Sequence, residues 1–292
     1  MKHGFLILIG LLVHGSPSHA ARMDVDLELV LAVDVSGSVD GQEAALQRNG
    51  YISAFQHPSV IDAIKHGPRG KIAVTYIEWG AYGNIHHVID WTLIRDKATS
   101  EAFAQKLRRS ARLIASRTSI SGAIDTAAAL LASNDFKGKR QVIDVSGDGA
   151  NNSGDLVTWA RDRAIAMGIS INGLPILNNR QSPMGNRQIA SLDLYYRDCV
   201  IGGPRAFYIV AKDFKDFGRA VLRKLILEIA DRTPDALPET RTARRWPGLP
   251  PNPLLIRVAA SRKAPPCHAG EQRLRKRRTG DDGGWMPQFP FQ

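Results

Sequence analysis

The chain has 292 residues, of which 43% are hydrophobic, so it is long enough and apolar enough to bury a full core. The formal net charge of +11 is uneven, because residues 233–292 alone carry 11 basic and 5 acidic side chains. The rest of the chain is only mildly basic, which argues against a nucleic-acid-binding domain with a basic face.

The first twenty residues have the pattern of a secretory signal. Lys2 precedes the apolar run FLILIGLLV, and Ser18 and Ala20 occupy the small positions that a signal peptidase requires. We predict a cleaved signal peptide over residues 1–20 and a periplasmic or secreted mature protein. The alternative is an uncleaved anchor or a buried strand. Nine apolar residues are too few to cross a bilayer, and no later segment approaches the roughly 20 that a helix needs.

The pattern of residues 21–232 alternates between strands and helices, which predicts one domain. Apolar runs predict strands over residues 27–33, 71–79, 85–91, 140–146, 170–177 and 206–211. Helical periodicity predicts helices over residues 40–55, 96–114, 121–131, 156–167 and 214–229. Pro58 is expected to end the first helix, and the strand that contains His86 and His87 is expected to return antiparallel as a hairpin. This order predicts an α/β fold with a doubly wound, mostly parallel sheet and helices on both faces.

The tail of residues 233–292 is rich in Pro and Arg, which predicts a solvated, disordered extension. Weak contact of this basic tail with anionic surfaces is an alternative. Cys199 lies in the predicted domain and Cys267 in the tail. Two cysteines do not define a disulfide framework, so the sequence leaves open whether they pair.

Oxygen-bearing side chains follow the ends of predicted strands. Asp34, Ser36 and Ser38 alternate directly after the first strand, and the same letters DVSG recur just before Asp148. Thr118 lies in the loop ahead of the third predicted helix. The carboxyl ends of parallel strands meet at one edge of a sheet, so we expect these side chains to converge. Hydroxyl and carboxylate oxygens without nitrogen or sulfur partners suit a hard cation such as Mg²⁺.

These motifs resemble the metal-ion-dependent adhesion site (MIDAS) of the von Willebrand factor A (vWA) domain. DVSGS is followed by RTSISGAI and then by VIDVSGDG, and YYRDCVIGGP further resembles a bacterial branch of exported vWA proteins of unknown function. The resemblance covers about residues 25–230 and implies a Rossmann-like sheet with one antiparallel edge strand. It implies Mg²⁺ or Mn²⁺ with an open position for an Asp or Glu carboxylate of a protein partner. The implied metal ligands are Asp34, Ser36, Ser38, Thr118 and Asp148.

Asp144 departs from the vWA pattern, because an apolar strand normally runs directly into the Asp-Gly of the third loop. Its position in DVSG leaves open whether it lies beside the metal or is paired elsewhere.

Three functions are open at this point. The first is an exported, non-enzymatic module that captures an acidic group of a partner through the ion. The second is a Mg²⁺-dependent phosphohydrolase with Asp34 as nucleophile, although Ser36 stands where such chemistry needs a second acid. The third is a metal-independent scaffold with a vestigial site, in which the rim or the tail alone binds a partner. For the motif itself, the alternative to a metal site is a set of capped turns, in which Asp and Ser bond their own backbone. A serine hydrolase is disfavoured, because DVSGS is not a GxSxG motif.

Residues around the predicted ion should select the partner. Two of them end the second strand, and others lie in the long connection of residues 177–203, a kind of segment that is often functional. Tyr195 and Tyr196 fit the core of a short helix equally well, and the Asn pair after Asp148 fits a turn. The predicted rim residues are Glu78, Trp79, Asn151, Arg180, Tyr195 and Arg197.

Overall fold

A five-stranded sheet forms the centre of the protein. The computed structural model describes residues 22–111, 115–178, 188–234 and 262–279. Within these ranges the strand order is β3-β2-β1-β4-β5. The strands are β1 (Met23–Asp34), β2 (Ile72–Trp79), β3 (Ile85–Ile94), β4 (Phe136–Gly147) and β5 (Ser170–Pro175). All neighbouring strands are parallel except β2 and β3, which confirms the predicted α/β class with one antiparallel edge strand.

Helices cover both faces of the sheet. In the described part of the chain they are α1 (Gly41–Gln56), α2 (Pro58–Lys65), α3 (Lys97–Arg109), α4 (Ile120–Ala132), α5 (Val157–Ala166), α6 (Leu192–Tyr195), α7 (Phe217–Ile229) and α8 (Ala269–Thr279). One apolar core joins α1, α2, α3 and α7 to one face, and a second joins α4, α5 and α6 to the other. A turn of π-helix, Tyr196–Val200, continues α6.

The central strand β1 explains where a site can form. All but the first two of its residues are buried, as expected for a strand with helices on both faces. From β1 the chain continues to β2 on one side, and it later returns to place β4 on the other side. The strand order therefore reverses between β1 and β4, and ligands of open α/β sheets bind outside the carboxyl ends of the strands at such a point.

Three predicted elements differ from the structure. The helix predicted over residues 96–114 ends at Arg109, with Ser110 as its C-cap. Helix α1 ends at Gln56, and Pro58 then begins α2, because proline is well suited to the first position of a helix. The predicted strand of residues 206–211 runs beside β5 but makes only isolated parallel bridges, Gly173 with Tyr208 and Ile176 with Ala211.

The tail prediction is wrong for residues 262–279. This segment includes α8 and is joined to the domain by a disulfide between Cys199 and Cys267. The predicted signal peptide, residues 1–20, lies outside the described residues. Among the described helices, none combines the length and the apolar content that crossing a bilayer demands.

Candidate metal centre

Three loops bring all five predicted ligands to the carboxyl ends of β1 and β4. In the loop after β1, the Ser36 Oγ lies 3.1 Å from the Ser38 Oγ. The Thr118 hydroxyl, from the loop before α4, donates to the Ser36 Oγ at 3.4 Å. The Ser38 hydroxyl donates to Asp148 Oδ1 at 2.5 Å. The convergence expected from the sequence is present, and the role of these side chains as metal ligands stays a prediction.

Backbone hydrogen bonds hold the first two loops together. The Val35 amide donates to the carbonyl of Trp79 at 2.9 Å, and the Ala115 amide donates to the carbonyl of Val35 at 3.1 Å. The Ser119 amide donates to the carbonyl of Gly80 at 2.6 Å, directly after Thr118. The end of β2 therefore fixes the first loop against the second.

The third loop is tied to the second by Asn152. Its side-chain Oδ1 accepts from the Thr118 backbone amide at 3.0 Å, and its backbone amide donates to the Thr118 carbonyl at 2.8 Å. This two-way pairing sets the position of Thr118 relative to Asp148, four residues before Asn152. From the sequence, Asn152 was expected only as a turn former, so this role was missed.

The Asp34 side chain is fully buried, and its two carboxylate oxygens differ in their hydrogen bonding. Its Oδ1 accepts from the Ser36 amide at 2.7 Å, whereas its Oδ2 has no hydrogen-bond partner among the residues that the structure describes. Gly147 provides the room for that oxygen, since a Cβ at this position would lie 2.7 Å from Asp34 Oδ2. A buried carboxylate oxygen without a partner is costly, and the cost is offset when a cation binds.

Burial also changes the acidity of the two carboxyl groups. Desolvation, with a further contribution from the neighbouring Asp148 carboxylate, raises the pKa of Asp34 to about 8. Desolvation raises the pKa of Asp148 to about 6, against the hydrogen bond from Ser38, and the negative charge of Glu43 adds to the increase. A divalent cation between these two carboxyl groups would stabilise their ionised forms.

The donor set fits a hard divalent cation. It consists of two carboxylates and three hydroxyls, all oxygen, which is the chemistry that Mg²⁺ and Mn²⁺ prefer. The described residues contain no cluster of three or more His, Cys, Asp or Glu, so a site of the zinc-finger kind is absent from them. A hard divalent cation is therefore the kind of ion that these side chains match.

The metal-free protein is expected to lose thermal stability as the pH rises from about 5 to about 8. Because the pKa of Asp34 is raised in the folded state, the folded protein keeps a proton that the unfolded chain has already released. Stability is then present at low pH and lost toward pH 8, by up to about 1.4 kcal/mol per pH unit.

Added Mg²⁺ should reverse this trend, since it favours the ionised carboxylates. Thermal melts in chelator and in Mg²⁺ at both pH values would measure the difference. An equal Mg²⁺-induced rise in melting temperature at pH 5 and pH 8 would contradict the assignment.

Comparisons with known proteins place the chain in a family. A family model described as "Protein of unknown function (DUF1194)" matches residues 24–233. The chain belongs to this family. A search of curated proteins finds no significant match.

Several solved structures are similar to the DUF1194 domain. Proximal thread matrix protein 1 (PTMP1) of the mussel byssus, in a form with zinc in its MIDAS motif, is 12% identical with a TM-score of 0.53 and is matched over 72% of this chain and 49% of its own. The pilus adhesin SpaC of Lactobacillus rhamnosus GG is 14% identical with a TM-score of 0.52, over 72% and 31%. A von Willebrand factor type A structure from Catenulispora acidiphila is 14% identical with a TM-score of 0.45, over 70% and 43%.

The present chain thus spans less than half the length of each of these proteins. At this level of identity the likeness to PTMP1 and SpaC shows the fold alone. The mostly parallel sheet with one antiparallel edge strand agrees with the Rossmann-like fold that the resemblance implied.

Most of the predicted rim of the DUF1194 site is buried. Glu78 forms an ion pair with Arg48 of α1, and Trp79 is fully inaccessible. Asn151 and Tyr195 are also inaccessible. A buried side chain cannot contact a partner at the surface, so the rim prediction is wrong for these four residues. For Tyr195 the alternative, a core residue of a short helix, is the one that the structure confirms.

The other two rim residues have different outcomes. Arg197 is exposed and pairs with the adjacent Asp198 at 2.6 Å. Its role as a rim residue stays a prediction. Arg180 lies outside the described residues.

Asp144 is paired away from the metal centre. Its carboxylate lies 2.6 Å from Lys224 Nζ on α7, and both side chains are fully buried. Lys224 also contacts Glu228, one turn further along α7. The departure from the vWA pattern therefore belongs to a buried ionic cluster between β4 and α7.

The sequence analysis also missed polar groups near the ligands. The Glu43 carboxylate closes a capping box with Asp40 and accepts from Asn178 at 3.1 Å. The spacing of Asp40 and Glu43 ahead of a helical pattern is a signal for this box that the sequence carries. Gln188 donates to the carbonyl of Asp148 at 2.6 Å and fixes the third loop, and no sequence motif marks it.

Proposed function

We propose that the chain is an exported, non-enzymatic binding module that captures a carboxylate of a protein partner through Mg²⁺ or Mn²⁺. The ion would be held by Asp34, Ser36, Ser38, Thr118 and Asp148. One observation carries the proposal: the fully buried Asp34 has an Oδ2 with no partner in the described part of the chain, and the neighbouring Asp148 carboxyl group also has a raised pKa.

The geometry favours capture over catalysis. Asp34 is inaccessible, so its carboxylate is poorly placed to attack a substrate phosphorus. Ser36 contacts Ser38, and Ser38 contacts Asp148, an arrangement that would surround an ion with oxygen. PTMP1, which carries zinc in its MIDAS motif, and the adhesin SpaC have the same fold, which is consistent with a role in binding.

The disulfide supports export. Disulfides persist in oxidising compartments and are rare where thiols are kept reduced. The Cys199–Cys267 bond therefore agrees with the signal-peptide pattern of residues 1–20 and with a periplasmic or secreted protein.

Calorimetric titration of the mature protein with Mg²⁺ and with Mn²⁺ tests the proposal. We expect one ion per chain and a rise in melting temperature that a NaCl control of equal ionic strength does not produce, because a ligand that binds only the folded state stabilises it. Absence of both the heat and the shift would refute the metal site.

A second experiment tests partner capture. Protein from the exported fraction should be retained on the immobilised chain in Mg²⁺ and released by chelator. Retention that survives chelator would favour the metal-independent scaffold, and turnover of a phosphoester panel that requires Asp34 would favour the phosphohydrolase.

A further inference from the structure

The C-terminal segment of residues 262–279 lies against the third loop of the metal centre. It is outside the region that the family model matches, which ends at residue 233. Three contacts attach it to α6 and the π-turn: the disulfide of Cys267 with Cys199, an ion pair of the exposed Arg262 with the buried Asp193, and a hydrogen bond from the Tyr195 hydroxyl to the Cys267 carbonyl at 3.3 Å.

Helix α8 reaches the metal loop through Asn151. Glu271 Oε1 accepts from the Asn151 side-chain amide at 2.7 Å. The backbones are also in close contact, since a Cβ at Gly270 would lie 1.9 Å from the Asn151 carbonyl oxygen. Only glycine permits this approach of the helix to the loop.

Asn151 links this helix to two loops of the site. It lies three residues after Asp148, and its Oδ1 accepts from the Ser121 amide at 3.0 Å, at the start of α4. The Asn151 backbone amide donates to the Tyr195 hydroxyl at 3.2 Å, and this same hydroxyl donates to the Cys267 carbonyl. One fully buried side chain therefore connects the segment to the Asp148 loop and to the helix that follows Thr118.

We propose that residues 262–279 are a structural part of the metal centre and that Glu271 is a positioning residue for it. Held in place by the disulfide, Glu271 orients Asn151, and Asn151 sets the spacing between Asp148 and Thr118. The inference rests on the proposed function, because it concerns the affinity of that same site for its ion. The segment thus acts on ion binding without contacting the ion.

The test is calorimetric titration of the full chain with Mn²⁺ in Glu271→Ala, Glu271→Gln and Gln272→Ala. Partners that orient metal ligands are typically worth 10- to 100-fold in affinity, so we expect Glu271→Ala to weaken Mn²⁺ binding by about tenfold or more. Glu271→Gln keeps an acceptor oxygen and should retain most of the affinity. Gln272 is exposed on the same helix, and its replacement should change nothing.

Two further measurements separate positioning from a purely structural role. In the metal-free protein, the Ser121 amide should exchange hydrogen faster in Glu271→Ala than in the parent, because its acceptor is no longer held. The paired variant Cys199→Ser with Cys267→Ser should also weaken Mn²⁺ binding.

The outcomes are distinct from those of the proposed function. A parent chain that binds Mn²⁺ with the same affinity as Glu271→Ala, even if the variant melts earlier in chelator, would overturn the positioning role and leave the proposed function standing. A parent chain that binds no Mn²⁺ would overturn both.

Discussion

Replacement of Asp34 by asparagine is expected to abolish binding of Mg²⁺ and Mn²⁺ while leaving the metal-free protein at least as stable at pH 8. Asparagine keeps the acceptor for the Ser36 amide but removes the charge that burial and Asp148 make costly. The variant therefore loses its main anionic ligand and also loses an electrostatic penalty. Thermal melts with and without Mg²⁺, together with calorimetry, measure both effects.

The magnitude follows from mass action. At an ion concentration about 100 times the dissociation constant, the parent gains about 2.7 kcal/mol of stability, and Asp34→Asn should gain nothing. Asp26→Asn is a matched control, since Asp26 is a buried carboxylate of the same strand at its opposite end, where it accepts from the Arg69 amide at 2.9 Å. That variant should keep the full gain from Mg²⁺. An undiminished gain in Asp34→Asn would place the ion elsewhere.

Replacement of Lys224 by methionine is expected to destabilise the fold by about 3–5 kcal/mol at pH 8, the usual cost of removing one partner from a buried ionic cluster. Lys224 lies between Asp144 and Glu228, and all three side chains are inaccessible. Without the cation, two carboxylates face each other in an apolar core. Urea unfolding followed by circular dichroism measures the loss.

The pH dependence identifies the cause of this loss. Burial raises the pKa of Glu228 to about 7 and also raises that of Asp144, even with Lys224 present. Without the lysine these values should rise further, so the penalty should be largest at high pH and shrink as the carboxyl groups take up protons.

A surface lysine gives the control for Lys224. Lys215 is exposed, so Lys215→Met should change stability by less than about 0.5 kcal/mol. A loss below about 1 kcal/mol for Lys224→Met at pH 8 would show that the cluster is not held by the ion pairs.

Much of the fold follows from the apolar pattern, because burial on both faces leaves a direct trace in the sequence. The run of residues 27–33 identifies the central strand, and the alternation after it identifies the crossovers. The convergence of the predicted ligand side chains could also be expected, since Asp34, Ser36 and Ser38 come directly after that apolar run. The strand ends alone set their common location at one edge of the sheet.

The rim could not be predicted in the same way. The end of a strand says where a residue lies along the sheet but not what covers it. Arg48 arrives from α1, thirty positions earlier in the chain, and buries the carboxylate of Glu78 in an ion pair. Tertiary packing determines this ion-pair partner, and no local sequence pattern predicts it.

The structure of residues 262–279 also could not be predicted from local sequence. A Pro- and Arg-rich composition is typical of disorder, yet one cysteine pair overrides that preference by fixing Cys267 against Cys199. Pairing depends on the distance between chain positions 68 residues apart, which spacing in the sequence does not give.

Crystals of the mature protein grown with Mn²⁺ and measured at the manganese absorption edge test the central claim most directly. We expect one anomalous peak within bonding distance of oxygen atoms from the loops that carry Asp34, Thr118 and Asp148, and no such peak in crystals of Asp34→Asn. A peak bound at another place, or none at these loops at saturating Mn²⁺, would contradict the assignment of the loops as a metal centre.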